Sequence, residues 1–317
     1  MGEIQEQNEQ PRTMLTEAIS AIRDGDLSLT QIARLSDLSR VNARALAAAW
    51  DSIPESNRID LVRRFDELSE ERVELNFGRA LRVALDDRSA VVRQLAVAGL
   101  WEDESSELLD RLRDMLVNDE SPDVRAQAAA ALERFSSMAA VGSLDEPVAN
   151  DLRHVLRQSA IDADAPYAVQ RRALESLGPY AADPQISSLI TEAFDSDDHG
   201  LQCSALYAMG RSQDSRWLPM ILLQLESEDP EIRFEAARAA GLLGSTDALP
   251  VLMLAARDDD AEVRHVAISA IGQIGGRGAV RALERLAADA GEADLELIQS
   301  AIDDVNTLLE PLQPSSP

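Results

Sequence analysis

The chain is 317 residues long, 45% apolar but only 3% aromatic, with a formal net charge of -27 at pH 7 and not one Lys. That length allows one to three compact domains or one solenoid. So acidic a field opposes nucleic acid and anionic membrane, both of which need a positive footprint, although a local Arg patch can still hold an acidic group.

Residues 1–12 are polar, rich in Glu and Gln, and predict a loose N-terminal tail without a signal-peptide pattern. Residues 13–55 predict three helices, Met14 to Arg23, Leu29 to Ser36 and Val41 to Ala49, with a break at Asp51 to Pro54. A stacked array needs an end unit that shields its first core layer. These helices are expected to be that cap, with Trp50 beneath it; a separate helical interaction module is the alternative.

From 56 to 310 one short pattern returns about every 31 residues, clearest at Val263 to Gly272 and Ile232 to Gly241. Self-similarity at a fixed short period predicts a stacked array and not a globule with one central core. The cation of the Val-Arg pair marks the register, at Arg63, Arg93, Arg125, Gln170, Gln202, Arg233 and Arg264, and a degenerate eighth copy follows at Ile298. Apolar residues recur three, four and seven places on, as at Ala128, Ala129 and Leu132, so each copy is a helix B burying one face. A second amphipathic stretch precedes it as helix A: Ser105 to Val117, Val148 to Ser159, Gln185 to Phe194, Arg216 to Leu225, Ala248 to Ala256 and Ala279 to Ala287. Pro219 and Pro250 sit in first turns of helix A, where Pro is tolerated. Gly178, Gly210, Gly241 and Gly272 are expected to end four of the B helices as left-handed caps. One interval is 45 residues and places an insertion near 136–147, either a surface loop or a longer helix A. Residues 311–317 are a Pro/Ser tail, expected to be disordered.

The motif Asp-x5-Arg at the start of helix B, followed by an Ala-rich run, resembles the short HEAT-like repeats of the phycobilisome-lyase type. Asp87/Arg93, Asp119/Arg125 and Asp258/Arg264 match it fully; Asp164/Gln170 keeps the Asp, Ser227/Arg233 and Asn57/Arg63 keep the Arg, and Ser196/Gln202 keeps neither. The resemblance implies an all-α fold, a right-handed α-α superhelix of about seven to eight helix-pair repeats behind the N-terminal cap. The ladder Asp87, Arg93, Asp119, Arg125, Arg233, Asp258 and Arg264 is expected to be structural, each Arg reaching the Asp of its own or the next unit.

Catalytic motifs are absent: there is no phosphate loop, no Gly-x-Ser-x-Gly and no Cys pair for zinc, and Cys203 alone forms no intrachain disulfide. Among enzymes with such repeats, deoxyhypusine hydroxylase holds iron with His-Glu pairs. His154, His199 and His265 are followed by Val155, Gly200 and Val266, so that site is missing. Bilin lyases share only the repeat with this chain. No cofactor, metal or catalytic residue is therefore expected.

Helix B positions one and five after the ladder are expected to face the concave side. Early copies place Gln94, Ala98, Ala126 and Ala130 there; later ones place Arg171, Glu175, Cys203, Tyr207, Phe234, Arg238, His265 and Ser269. Aromatic residues and Arg dominate interface hot spots. Arg171, Glu175, Tyr207, Phe234, Arg238 and His265 are thus the candidate surface for a protein or peptide partner of a cytoplasmic, monomeric, non-catalytic scaffold. Packing of the Phe and Tyr against the next repeat is the bland alternative. An accessory lyase or chaperone-like protein for a cofactor-bearing partner is a second function, and DNA binding the least compatible with the charge. The missing Lys has two readings, a GC-rich coding sequence or a salt-adapted surface.

Overall fold

The computed structural model describes residues 2–309, with side chains from Thr13 onward except Ala293. The tail expected at 311–317 lies outside the described residues. Every element among the described residues is helical. The chain divides into two units, residues 1–134 and 135–317.

In the first unit, α1 (Gly2–Arg23) begins within the stretch assigned by composition to a loose tail. It is followed by α2 (Leu29–Ile32), a 3-10 turn (Ala33–Leu35) and α3 (Arg40–Trp50). Then come α4 (Glu55–Glu71), α5 (Gly78–Ala84), α6 (Ala90–Gly99), α7 (Ser106–Asn118) and α8 (Pro122–Ala131). The expected three helices and the break before Glu55 are all present. Trp50 is buried, as expected, and its indole Nε1 donates to Asp87 Oδ2 at 2.6 Å.

In the second unit the insertion is neither a loop nor only a longer helix A. It holds most of a short extra helix, α9 (Glu133–Ala140, which begins in the first unit), and a turn before α10 (Glu146–Ile161). Phe135 fixes the extra helix by complete burial. The repeats continue as α11 (Tyr167–Ser176), α12 (Pro184–Phe194), α13 (His199–Arg211), α14 (Leu218–Gln224) and α15 (Pro230–Leu243). They end with α16 (Leu249–Ala255), α17 (Ala261–Ile274), α18 (Gly276–Ala287) and α19 (Glu292–Leu309). Within each unit helix A lies beside its helix B, and B helices stack on one another: α4, α6 and α8 in the first, α11, α13, α15, α17 and α19 in the second.

The ladder residue has a fixed place, the fourth residue of each helix B. That position is Arg93 in α6, Arg125 in α8, Gln170 in α11, Gln202 in α13, Arg233 in α15 and Arg264 in α17. In α4 it is Arg58 and not Arg63. The residues three, four and seven places beyond Arg58, namely Leu61, Val62 and Phe65, are buried as the pattern requires, whereas Arg63 is exposed beside Asp60.

The fourth position works in two directions at once. Backwards, Arg93 Nη1 donates to the Asp87 carbonyl at 2.8 Å, and Arg233 and Arg264 do the same to Ser227 and Asp258. Forwards, the guanidinium forks onto the next unit's carboxylate: Arg58 on Asp87, Arg93 on Asp119, Arg233 on Asp258. Each of these Asp residues also caps its own turn, accepting from the amide two residues on at Ser89, Ser121 and Asp260. Arg264 reaches Asp294 by a single bond, from Nε to Oδ2 at 3.1 Å. Arg125 departs from the expectation, donating to the Leu116 carbonyl instead of an Asp. Gln170 and Gln202 keep the backward bond, to Ala165 and Ser196 carbonyls, and are too short and uncharged for the forward pair.

Burial opposes ionisation of Asp87, but the bonds from Arg58, the Ser89 amide and Trp50 outweigh it and hold the carboxyl below its ordinary 3.8. Asp119 is lowered on the same balance of burial against Arg93 and the Ser121 amide. Asp258 is lowered chiefly by Arg233. A carboxyl whose folded value is depressed stabilises the fold fully above its unfolded value, and loses that contribution as the pH falls through the folded one. Urea midpoints should therefore be nearly flat from pH 7 to about 5 and fall steeply below about pH 4. Substituting Asn at Asp119 and Asp258 should flatten that acid limb.

The four repeat glycines serve a different purpose from the one expected. Gly210, Gly241 and Gly272 lie inside α13, α15 and α17, and Gly178 opens a 3-10 turn after α11. None has positive φ; the positive-φ glycines that end α15 and α17 are Gly244 and Gly275, at φ 71° and 69°. At three of them the absent side chain lets B helices approach. A Cβ on Gly210 would stand 2.7 Å from Ala239 Cα, one on Gly241 2.8 Å from Ala270 Cα, and one on Gly178 2.6 Å from the Ala208 carbonyl oxygen.

Candidate functional site

The second unit carries the strip of helix-B side chains singled out by sequence. Most of it is built at the junctions where the Arg ladder lapses; His265 lies at the α17–α19 junction, where Arg264 still reaches Asp294. Between α11 and α13 the forward pair is missing at Gln170, and other groups cross the gap. Tyr167, first residue of α11, donates its hydroxyl to Asp198, the residue that caps α13. One turn on, Arg171 Nε donates to Ser204 Oγ at 2.9 Å, and Ser204 Oγ donates to Glu175 Oε1 at 2.8 Å. Glu175 also holds Arg172 at 2.6 Å. Glu175 is 6% exposed and Ser204 1%. Glu175 is therefore an internal brace, a correction to its expected place on an open face.

Cys203 also turns inward, at 1% exposure. Burial, with the negative field of Glu231 and Glu235, pushes its thiol up to about 12, so the metal-free thiol is neutral. It faces α15, whose Glu231 carboxylate comes within 4.8 Å of its sulfur.

The remaining strip residues keep an accessible side. Arg238 lies over the Tyr207 ring, 4.3 Å from its centroid, and is paired with Glu235 at 2.7 Å. Burial raises the Glu235 carboxyl, which Arg238 partly offsets. Phe234 is half-buried beside this pair in sequence, on the same helix. His265 is exposed and its Nε2 meets Asp294 Oδ1 at 3.0 Å, sharing that carboxylate with Arg264. A cation over a tyrosine ring, with a half-covered phenylalanine one turn away on the same helix, offers an amphipathic surface.

The junction between α13 and α15 holds residues that sequence reading left aside. His199, first residue of α13, places Nε2 2.9 Å from Asp229 Oδ2 and Nδ1 3.8 Å from Glu231 Oε2. One ligating atom from each of His199, Cys203 and Glu231 lies within 4.8 Å of the other two. The available signal was the four-residue spacing of His199 and Cys203, which places both on one side of a helix; their partners come from the next repeat, which no local pattern reveals.

The first unit has a different candidate, a groove of about 740 Å³ lined in part by Leu38, Val73, Arg79, Arg82 and Trp101. Trp101 is 57% exposed. Its two Arg residues are engaged internally, Arg79 with the Leu38 carbonyl and Arg82 with Asp103.

No helix among the described residues is long and apolar enough to cross a membrane. A family model described as HEAT repeats matches residues 78–165 and 218–302. No curated protein sequence matches the chain. Among solved structures, the complex of CpcE and CpcF of phycocyanin lyase from Nostoc sp. PCC7120 is similar at TM-score 0.53 and 18% identity, over 85% of this chain and 96% of that one. Kap121p bound to Pho4p is similar at TM-score 0.46 and 12% identity, over 93% of this chain and 38% of that one. Human deoxyhypusine hydroxylase in complex with glycerol gives TM-score 0.36 and 16% identity, over 95% and 98%. The first of these likenesses is one of fold.

Proposed function

The chain belongs to the HEAT-repeat family, and from that premise we propose that it is a non-catalytic scaffold whose second unit binds a protein or peptide partner on the strip formed by Tyr207, Phe234, Arg238 and His265. Arg171 and Glu175 shape the strip from behind. The observation that carries this reading is the Arg238 guanidinium stacked on Tyr207 beside Phe234. Aromatic and Arg side chains of this kind supply the buried anchors of interfaces. The smooth early positions Ala98, Ala126 and Ala130 offer nothing comparable. An acidic scaffold favours a basic partner segment, which the -27 net charge would steer and salt would weaken.

The test is a pair of variants in the full chain. Phe234→Ala and Tyr207→Ala should each weaken the captured partner by about 10- to 100-fold, the range of a hot-spot truncation, with unchanged helical circular dichroism. Retention of every partner by both variants would remove the strip from consideration.

A second reading follows from the fold shared with the CpcE and CpcF complex: an accessory protein acting on a cofactor-bearing partner. It requires a small ligand, and purification of the chain with a retained chromophore would select it over the scaffold.

A further inference from the structure

We propose that His199, Cys203 and Glu231 form a binding site for one zinc-class divalent cation, with Asp229 oriented behind the imidazole. The site is distinct from the partner strip and stands without it.

The donors converge from two successive repeats. His199 and Cys203 stand four residues apart on α13, and Glu231 enters from the first turn of α15. All three ligating atoms fall within 4.8 Å of one another, and His199 Nδ1 to Glu231 Oε2 is already 3.8 Å. Around a tetrahedral zinc with bonds of about 2.0–2.3 Å, neighbouring ligand atoms stand roughly 3.3–3.8 Å apart. His199 and Glu231 are exposed and free to close the remaining distance, while Cys203 is fixed in the wall.

The donor types select the metal. A thiol and an imidazole with one carboxylate suit zinc and its soft neighbours, whereas calcium and magnesium take oxygen ligands. Asp229 completes the arrangement. With a proton on His199 Nε2, its carboxylate accepts at 2.9 Å, leaving Nδ1 unprotonated 3.8 Å from Glu231 Oε2. A carboxylate behind the other ring nitrogen is the usual support of a ligating histidine. On loading, the Cys203 thiol releases one proton to solvent and its sulfur lone pair forms the bond; no electron is transferred.

The location gives the site a purpose. At the α13–α15 junction both members of the ladder pair are replaced, the Arg by Gln202 and the Asp by Ser227. At the preceding junction Tyr167 and Asp198 take over from first helical residue to cap; at this one His199 and Asp229 occupy the same two places. A cation here would staple two repeats where the charged stitch is missing.

The experiment uses the full chain and adds cobalt(II), then zinc(II). One equivalent of cobalt should produce a thiolate-to-cobalt charge-transfer band, one equivalent of zinc should erase it, and millimolar magnesium should leave it in place. Cys203→Ser should abolish the band. His199→Gln, at an exposed position, should keep the helical spectrum and weaken cobalt binding about 10-fold or more, and Asp229→Asn should weaken it about 10-fold. Absence of the band in the full chain, displacement by magnesium, or undiminished affinity in His199→Gln would each overturn the site. Tyr207→Ala and Phe234→Ala should bind cobalt normally, which separates this result from that of the partner strip.

Discussion

Arg58→Met should lower the stability of the first unit by about 3–5 kcal/mol, the cost of breaking a buried ion pair by removing one partner. The Arg58 side chain is 2% exposed and that of Asp87 is 0%. The variant strands a carboxylate that Trp50 and the Ser89 amide still hold in place but that has lost its counter-charge. Arg58 also bonds the Ile53 carbonyl, so the end of the break before α4 loosens too. The exposed Arg63→Met should change stability by no more than about 0.5 kcal/mol. Urea unfolding of the two variants side by side distinguishes the registers; equal effects would show that the ladder does not begin at Arg58. The double variant Arg58→Met with Asp87→Asn should recover part of the loss, because the unpaired charge is removed while the amide oxygen can still accept from a donor that Asp87 held.

Gly210→Val should destabilise the second unit by about 3 kcal/mol, the upper range for overpacking. Its first added carbon meets Ala239 backbone, which cannot rotate away, and β-branching adds bulk to the same seam. Gly272 is the control. A Cβ there lies 3.4 Å from Ala301 Cβ, an ordinary contact, so Gly272→Ala should be neutral or stabilising by up to about 1 kcal/mol through helix propensity. If both variants behave alike, the glycines are not there for close approach.

The fold was legible because its signal is local and repeated. Apolar residues three, four and seven beyond each ladder position define a buried face wherever the helix starts, and helix A boundaries follow from the same amphipathicity. The error at Arg63 came from the Val62-Arg63 dipeptide, which imitates the motif five residues too late in a helix of 17 residues. Helix position, not the dipeptide, decides which cation can reach the next turn. The role of the glycines was not legible. A glycine near the end of a pattern reads as a cap, and only the distance to the neighbouring B helix reveals a seam.

The strip was half legible for the same reason. Positions one and five after the ladder sit at the edge of the buried arc, and the distance to the next helix settles which side of that edge they fall on. At the α13–α15 junction Cys203 falls on the covered side, whereas Tyr207 and Arg238 stay half-exposed. Glu175 was drawn in by Ser204, a partner 29 residues away whose choice no spacing rule anticipates.

The two positions at which the ladder Arg itself is replaced, Gln170 and Gln202, fall in the unit that carries the strip. There the Arg-to-Asp stitch gives way to polar groups that differ from junction to junction. Uniform stitches build an array, and departures from them make one surface distinguishable from another, which is what a binding protein requires.

Photo-crosslinking in the native host tests the central claim most directly. A photoreactive residue is placed at position 234 in one full-length chain and at position 101, beside the first-unit groove, in another. The scaffold account predicts one recurrent protein adduct from position 234, lost when Arg238→Ala is added, and none of that protein from position 101. Adducts from position 101 alone, or none from position 234 while the partner still co-purifies, would contradict it.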